Sequence, residues 1–179
     1  ERKKGFILIA PFIFLSSDKV YNQNSKYPKV SEKPKPNLFY GKMKYKCEQA
    51  IINNIKHHII LRVPIVHSNS LKLIKTSPFI DKVIQQKKYI KAYDNIVRSF
   101  IDADLLSKLI LKLIFKNYYG IFNVGTKPYS YFKRLNFLNS KFKKNLKIIP
   151  IHGNIKPEIQ APTASEILLN DKDLKKCFI

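Results

Sequence analysis

A chain of 179 residues with 45% hydrophobic content can bury the core of one ordinary domain, which excludes a disordered polyelectrolyte despite a formal net charge of +22. Only four of the 34 basic residues are arginine (Arg2, Arg62, Arg98 and Arg134), and the lysines are spread over every segment. Arginine is the side chain suited to bidentate phosphate and base contacts, so this pattern describes a solvated lysine surface and argues against a nucleic-acid partner.

The first apolar run, residues 6–15, contains Pro11 and leads straight into Ser16-Ser17-Asp18 without a small-x-small cleavage pattern. It is too short to span a bilayer, so no membrane partner is expected. Its second part, residues 12–15, has the continuous apolar character of a buried parallel strand. Residues 20–39 carry Asn22, Asn24, Pro28, Pro34 and Pro36 and form a loop. Residues 40–54 follow as a helix, with Ala50, Ile51 and Ile52 expected towards the core. A second buried strand covers residues 57–66 and is ended or bent at Pro64.

A helix is expected over residues 77–86, with Ser77 as its cap and Pro78 at its first position. In "DADLLSKLILKLIFKN", Leu105, Leu109, Leu113 and Ile114 fall at helical spacing behind aspartates in the first turn. "YYGIFNVGT" then reads as a strand after a helix end broken by glycine. "KKNLKIIPIHG" adds a short strand, and a polar tail closes the chain. Alternating strands and helices predict an α/β layer.

Cys47 and Cys177 are lone thiols without ligand spacing, which fits a reducing, cytoplasmic compartment. His57 and His58 are adjacent, and His67 and His152 are isolated, so no metal site is expected.

The candidate chemistry lies between residues 15 and 49. Tyr40 and Lys44 are one helical turn apart on one face. An ammonium near a phenol favours the phenolate, and a tyrosine so placed can act as general acid or base on a carbonyl/alcohol pair. Ser17 ends a buried strand, where open α/β sheets place their ligands, and its hydroxyl can donate to the same substrate oxygen.

"SSDKVY" (residues 16–21) followed by "YGKMKYKCE" (40–48) resembles the active-site region of extended short-chain dehydrogenases/reductases. "IILRVPIV" (59–66), "RSFIDADLL" (98–106) and "GIFNVGT" (120–126) resemble further segments of that family, in the family's order. The wording is most similar to dTDP-4-dehydrorhamnose reductases, and also similar to the related regulatory beta subunit of methionine adenosyltransferase. The resemblance implies an α/β fold, the C-terminal part of a Rossmann-type doubly wound parallel sheet with a small substrate-binding lobe. It implies Ser17 orienting a substrate carbonyl, Tyr40 donating a proton, and Lys44 assisting Tyr40 while binding the nicotinamide ribose. Arg62 and Pro64 would join Tyr40 and Lys44 around an NADP or NAD cofactor, with Arg98 near the substrate.

The sequence departs from the family at Asn22-Gln23, His67 and Asp102, which bears on substrate identity. Gly5, Gly41, Gly120, Gly125 and Gly153 form no G-x-x-G-x-x-G or G-x-G-x-x-G turn. Such a turn lets the backbone approach a pyrophosphate. Residues 1–179 are therefore expected to form one incomplete domain, the C-terminal portion of such a protein, whose first βαβ half lies upstream of Glu1, has been lost or is supplied by another chain. Two functions follow from the resemblance. One is a reductase acting on a keto group of a nucleotide sugar. The other is a non-catalytic subunit partnering the methionine adenosyltransferase catalytic subunit.

Overall fold

The computed structural model describes residues 10–22, 24–67, 88–141, 143, 145–153 and 158–160. The elements run β1 (Phe12–Ser17), a 3-10 turn (Asp18–Val20), α1 (Phe39–Asn54), β2 (His58–Val63), β3 (Ile65–His67), β4 (Tyr89–Tyr93), β5 (Ile96–Arg98) and β6 (Phe100–Asp102). They continue with α2 (Ala103–Phe115), β7 (Gly120–Asn123), β8 (Tyr129–Ser130), α3 (Tyr131–Lys141), β9 (Lys147–Ile151) and β10 (Glu158–Gln160).

The apolar runs that predict β1 and β2 do pair, in parallel, and β7 joins the far side of β2 in parallel. The strand order β1-β2-β7 makes a parallel sheet with helical connections, a mixed α/β fold of Rossmann type. Pro64 has no N–H to continue the ladder, so β2 ends at Val63 and the chain passes to a separate parallel pair, β3 with β6.

Leu106, Leu109 and Leu113 of α2 pack against Ile59, Leu61 and Val63 of β2 and against Phe122 and Val124, forming the main core. Leu105 and Ile114 lie at its partly buried margin. The Asp102 side chain caps α2, accepting from the amides of Asp104 at 3.0 Å and Leu105 at 3.4 Å.

A second cluster joins Ile90 and Ala92 of β4 to Leu135 and Leu138 of α3. Here β4 pairs with β9 in parallel, and β5 lies between β10 and the antiparallel β8.

Three expectations change. The buried residues of α1 are Gly41, Glu48 and Ile51, while Ala50 and Ile52 face solvent. The inner stripe includes a glycine and a carboxylate, which an apolar pattern does not reveal. The end of α2 is set by Asn117 rather than by glycine. Asn117 adopts φ 54, and the Asn117 and Tyr118 amides donate to the Ile114 and Leu113 carbonyls at 3.0 and 2.9 Å. That pair of bonds is a Schellman motif, in which asparagine can replace glycine. Finally, α3 occupies part of the remainder for which only a short strand and a polar tail are expected. The helix expected over residues 77–86 and the polar tail beyond residue 160 lie outside the described residues.

Candidate functional site

Parallel registry places Ser16 beside Arg62, and Arg62 beside Asn123, in one row across the three strands near their carboxyl ends. Side chains in a row share one face, and here that face receives α1. Glu48, fully buried on α1, accepts Ser16 Oγ at 2.5 Å and Arg62 Nη2 at 2.7 Å. Arg62 Nε adds contacts of 3.0 and 3.2 Å to the two carboxylate oxygens.

Arg62 Nη1 donates to the Tyr21 hydroxyl at 2.7 Å. The phenol has one proton, and its nearer acceptor is Asn123 Oδ1 at 2.7 Å, with the Lys29 carbonyl at 3.1 Å. Asn123 Nδ2 in turn donates to the Pro28 carbonyl at 3.1 Å. Burial raises the Tyr21 phenol above its ordinary range, against the pull of Arg62. Burial alone would lower the Arg62 guanidinium, but the bonds to Glu48 and Tyr21 outweigh it and hold it up.

Ser17 is the last residue of β1 and is buried. Its hydroxyl donates to Asp18 Oδ1 at 3.1 Å and accepts the Lys19 amide at 3.2 Å, capping the 3-10 turn. Asp18 is buried too, and desolvation pushes its carboxyl above the usual carboxylate range despite Lys19, Ser17 and Arg98.

Gly41 explains how α1 meets this corner. A Cβ there would overlap the Lys19 carbonyl oxygen and press on Pro36, so only glycine lets the helix start rest on the turn. Lys44 Nζ donates to the Leu15 carbonyl at 2.8 Å and sits 4.8 Å from the Phe14 ring centre. The same nitrogen lies 5.8 Å from the Tyr40 ring centre, and Tyr40 is 54% exposed. The helix bearing Tyr40 and Lys44 is thus fastened to the chain two residues before Ser17 and two residues after it.

The other sequence candidates divide. Pro64 is buried immediately after β2, at the carboxyl edge. Arg98, buried on β5, donates to the Val97 carbonyl at 2.9 Å and acts electrostatically on Asp18, which links it to the Ser17 corner. The Arg62 side chain is committed to Glu48 and Tyr21, and its backbone carbonyl accepts the Val124 amide at 3.0 Å.

Gly41, Glu48, Tyr21, Asn123 and Asp18 are the residues that sequence reasoning passed over. Glu48 had a signal, since it continues the 40, 44, 48 face. Asn123 had none. No group of three or more His, Cys, Asp or Glu is placed for a metal among the described residues. Among those residues no helix is long and apolar enough to cross a membrane.

The family model of the RmlD substrate binding domain matches residues 8–144, most of the chain. The chain belongs to that family. The RmlD-type fold is shared with solved dTDP-4-dehydrorhamnose reductases. That of Bacillus anthracis, in complex with NADP, is 19% identical with a TM-score of 0.76, over 94% of this chain and 65% of that one. The Yersinia enterocolitica reductase is 23% identical with a TM-score of 0.71, over 94% and 66% respectively. The Clostridium acetobutylicum reductase is 19% identical with a TM-score of 0.74, over 89% and 58%. The chain thus spans 58–66% of the length of these reductases. No curated protein matches it.

Proposed function

We propose that this chain is the catalytic and substrate-binding portion of an NAD(P)H-dependent reductase that reduces a keto group of a nucleotide sugar, of the dTDP-4-dehydrorhamnose reductase type. The observation that carries the reading is the docking of α1. Gly41 rests against the Lys19 carbonyl and Lys44 on the Leu15 carbonyl, and this contact with both flanks of Ser17 supports a shared site of Ser17, Tyr40 and Lys44.

In this reading Ser17 orients the substrate carbonyl, and Tyr40 delivers a proton to its oxygen. Ser17 has a single proton, directed at Asp18, so donation to substrate requires that hydroxyl to rotate. The Lys44 ammonium has three donors, one of them on Leu15 O, which leaves directions for Tyr40 and a ribose hydroxyl. Arg98 contributes positive charge on the substrate side. Tyr40, Lys44 and Pro64 suit the nicotinamide end of NADP or NAD, which when bound supplies the hydride. No glycine-rich turn for the pyrophosphate exists among the five glycines. We assign that turn to a further βαβ unit, whose strand would extend the sheet at the edge of β1 that is unpaired among the described residues, where Phe12 and Leu15 are exposed.

The test is turnover of a dTDP-4-keto sugar with NADPH by the natural protein containing this chain. Tyr40→Phe is expected to lower kcat by about 10²–10⁴-fold while leaving Tm unchanged, because the ring is half exposed. Unchanged turnover in Tyr40→Phe sinks the mechanism. A second reading, supported by the sequence resemblance alone, is a regulatory subunit of methionine adenosyltransferase. Co-purification with that enzyme, without keto-sugar turnover, would select it.

A further inference from the structure

One buried ion pair ties α1 to the sheet beside Ser17. Glu48 is fully buried and Arg62 is 3% exposed, and both carboxylate oxygens face the guanidinium. The pair is extended by Ser16 on β1, by Tyr21 after the 3-10 turn and by Asn123 on β7. Glu48 stands four residues beyond Lys44 and eight beyond Tyr40, so anchor and candidate site share one face of α1.

Stability alone does not call for charge here. Desolvating a carboxylate and a guanidinium offsets most of their attraction, and apolar residues of similar volume commonly serve as well or better. An apolar contact lacks direction, however. The guanidinium fork fixes where Glu48 sits along the helix axis and around it. A slip of one residue would move Tyr40 by about 1.5 Å and turn it by about 100°.

We propose that Glu48 and Arg62 are positioning residues for the Ser17–Tyr40–Lys44 site. They hold α1 in register on β1 and β2, and the Tyr21–Asn123 arm holds the Pro28 carbonyl, in the loop before α1, to the same network. The assignment rests on the reductase reading.

The experiment uses the natural protein containing this chain, a dTDP-4-keto sugar and NADPH. Glu48→Gln keeps the shape and removes the charge. It is expected to lower kcat by about 10²-fold with KM unchanged, the scale of a roughly 1 Å misplacement. The double variant Glu48→Leu/Arg62→Met is expected to recover wild-type Tm while kcat stays low. Restored kcat together with restored Tm overturns the proposal, because the pair would then be structural only, and full kcat in Glu48→Gln does the same.

A second readout is independent of turnover. Amide hydrogen exchange over residues 39–44 should be faster in the double variant, and unchanged protection overturns the positioning role. If the wild type does not turn over the keto sugar, the reductase reading fails and the exchange result still decides this one. Should the double variant not fold, Arg62→Lys keeps the charge without the fork. It should lose kcat with an unchanged circular dichroism spectrum, and full activity would overturn the assignment.

Discussion

Asp18 shares a hydrogen bond with the hydroxyl of Ser17 and is 4% exposed. Burial raises its folded-state pKa above the unfolded value, so the folded protein holds that proton more tightly. The folded state is therefore favoured below the ordinary carboxylate range, and that advantage is lost as pH rises through the folded value. In Asp18→Asn this contribution disappears. The Tm difference between wild type and Asp18→Asn should shift against wild type upward from about pH 4. A difference independent of pH would show that Asp18 carries no such penalty. Gly41 sets a steric condition at the same corner. Gly41→Ala pushes a methyl into the Lys19 carbonyl and should cost about 1–3 kcal/mol in denaturant unfolding. Because α1 must lift off the turn, turnover should fall further than Tm predicts.

At the scale of elements, legibility followed periodicity. β1, β2 and α2 were readable because continuous apolar runs and a 3.6-residue stripe report burial directly. Pro64 was readable because a missing N–H ends a ladder whatever surrounds it. The inner face of α1 was not, since a buried Glu48 is tolerated only through Ser16 and Arg62, two strands distant in sequence. The α3 helix was missed although Phe132, Leu135 and Leu138 form an apolar stripe and the Ser130 hydroxyl accepts the Lys133 amide at 3.2 Å. Its first turn pairs aromatics of modest helix propensity with two cations that oppose the helix dipole. The end of α2 offers a clean check. Asn117→Ala removes a side chain tolerant of φ 54 and should destabilise by about 1–2 kcal/mol, read as a lower midpoint in denaturant.

Across the whole molecule, arginine and lysine do different work. Arg62, Arg98 and Arg134 are all buried, and Arg134 lies over the rings of Phe100 and Phe137 at 5.5 and 5.4 Å. Among the described residues the positive surface is thus a lysine surface, and a net charge of +22 repels itself. Salt should stabilise the fold by screening. Between about 0.01 and 0.1 M the Debye length falls from about 30 to 10 Å. A relief of about 1 kcal/mol would raise Tm by roughly 2–4 °C. A Tm that falls or stays flat over that range would mean that neighbouring charges are already compensated.

The sequence by itself determined the strands of the main sheet, the helix that covers one face, and the pairing of Tyr40 with Lys44 on a common helix face. These depend on spacing within one segment, which local geometry converts into a shared surface. Only the tertiary structure decided that Arg62 turns inward to Glu48, that Asp18 is buried against Ser17, and that Gly41 seats α1 on the turn. Those contacts join residues from different strands and turns, and the register that brings Ser16, Arg62 and Asn123 into one row exists only once the strands have paired.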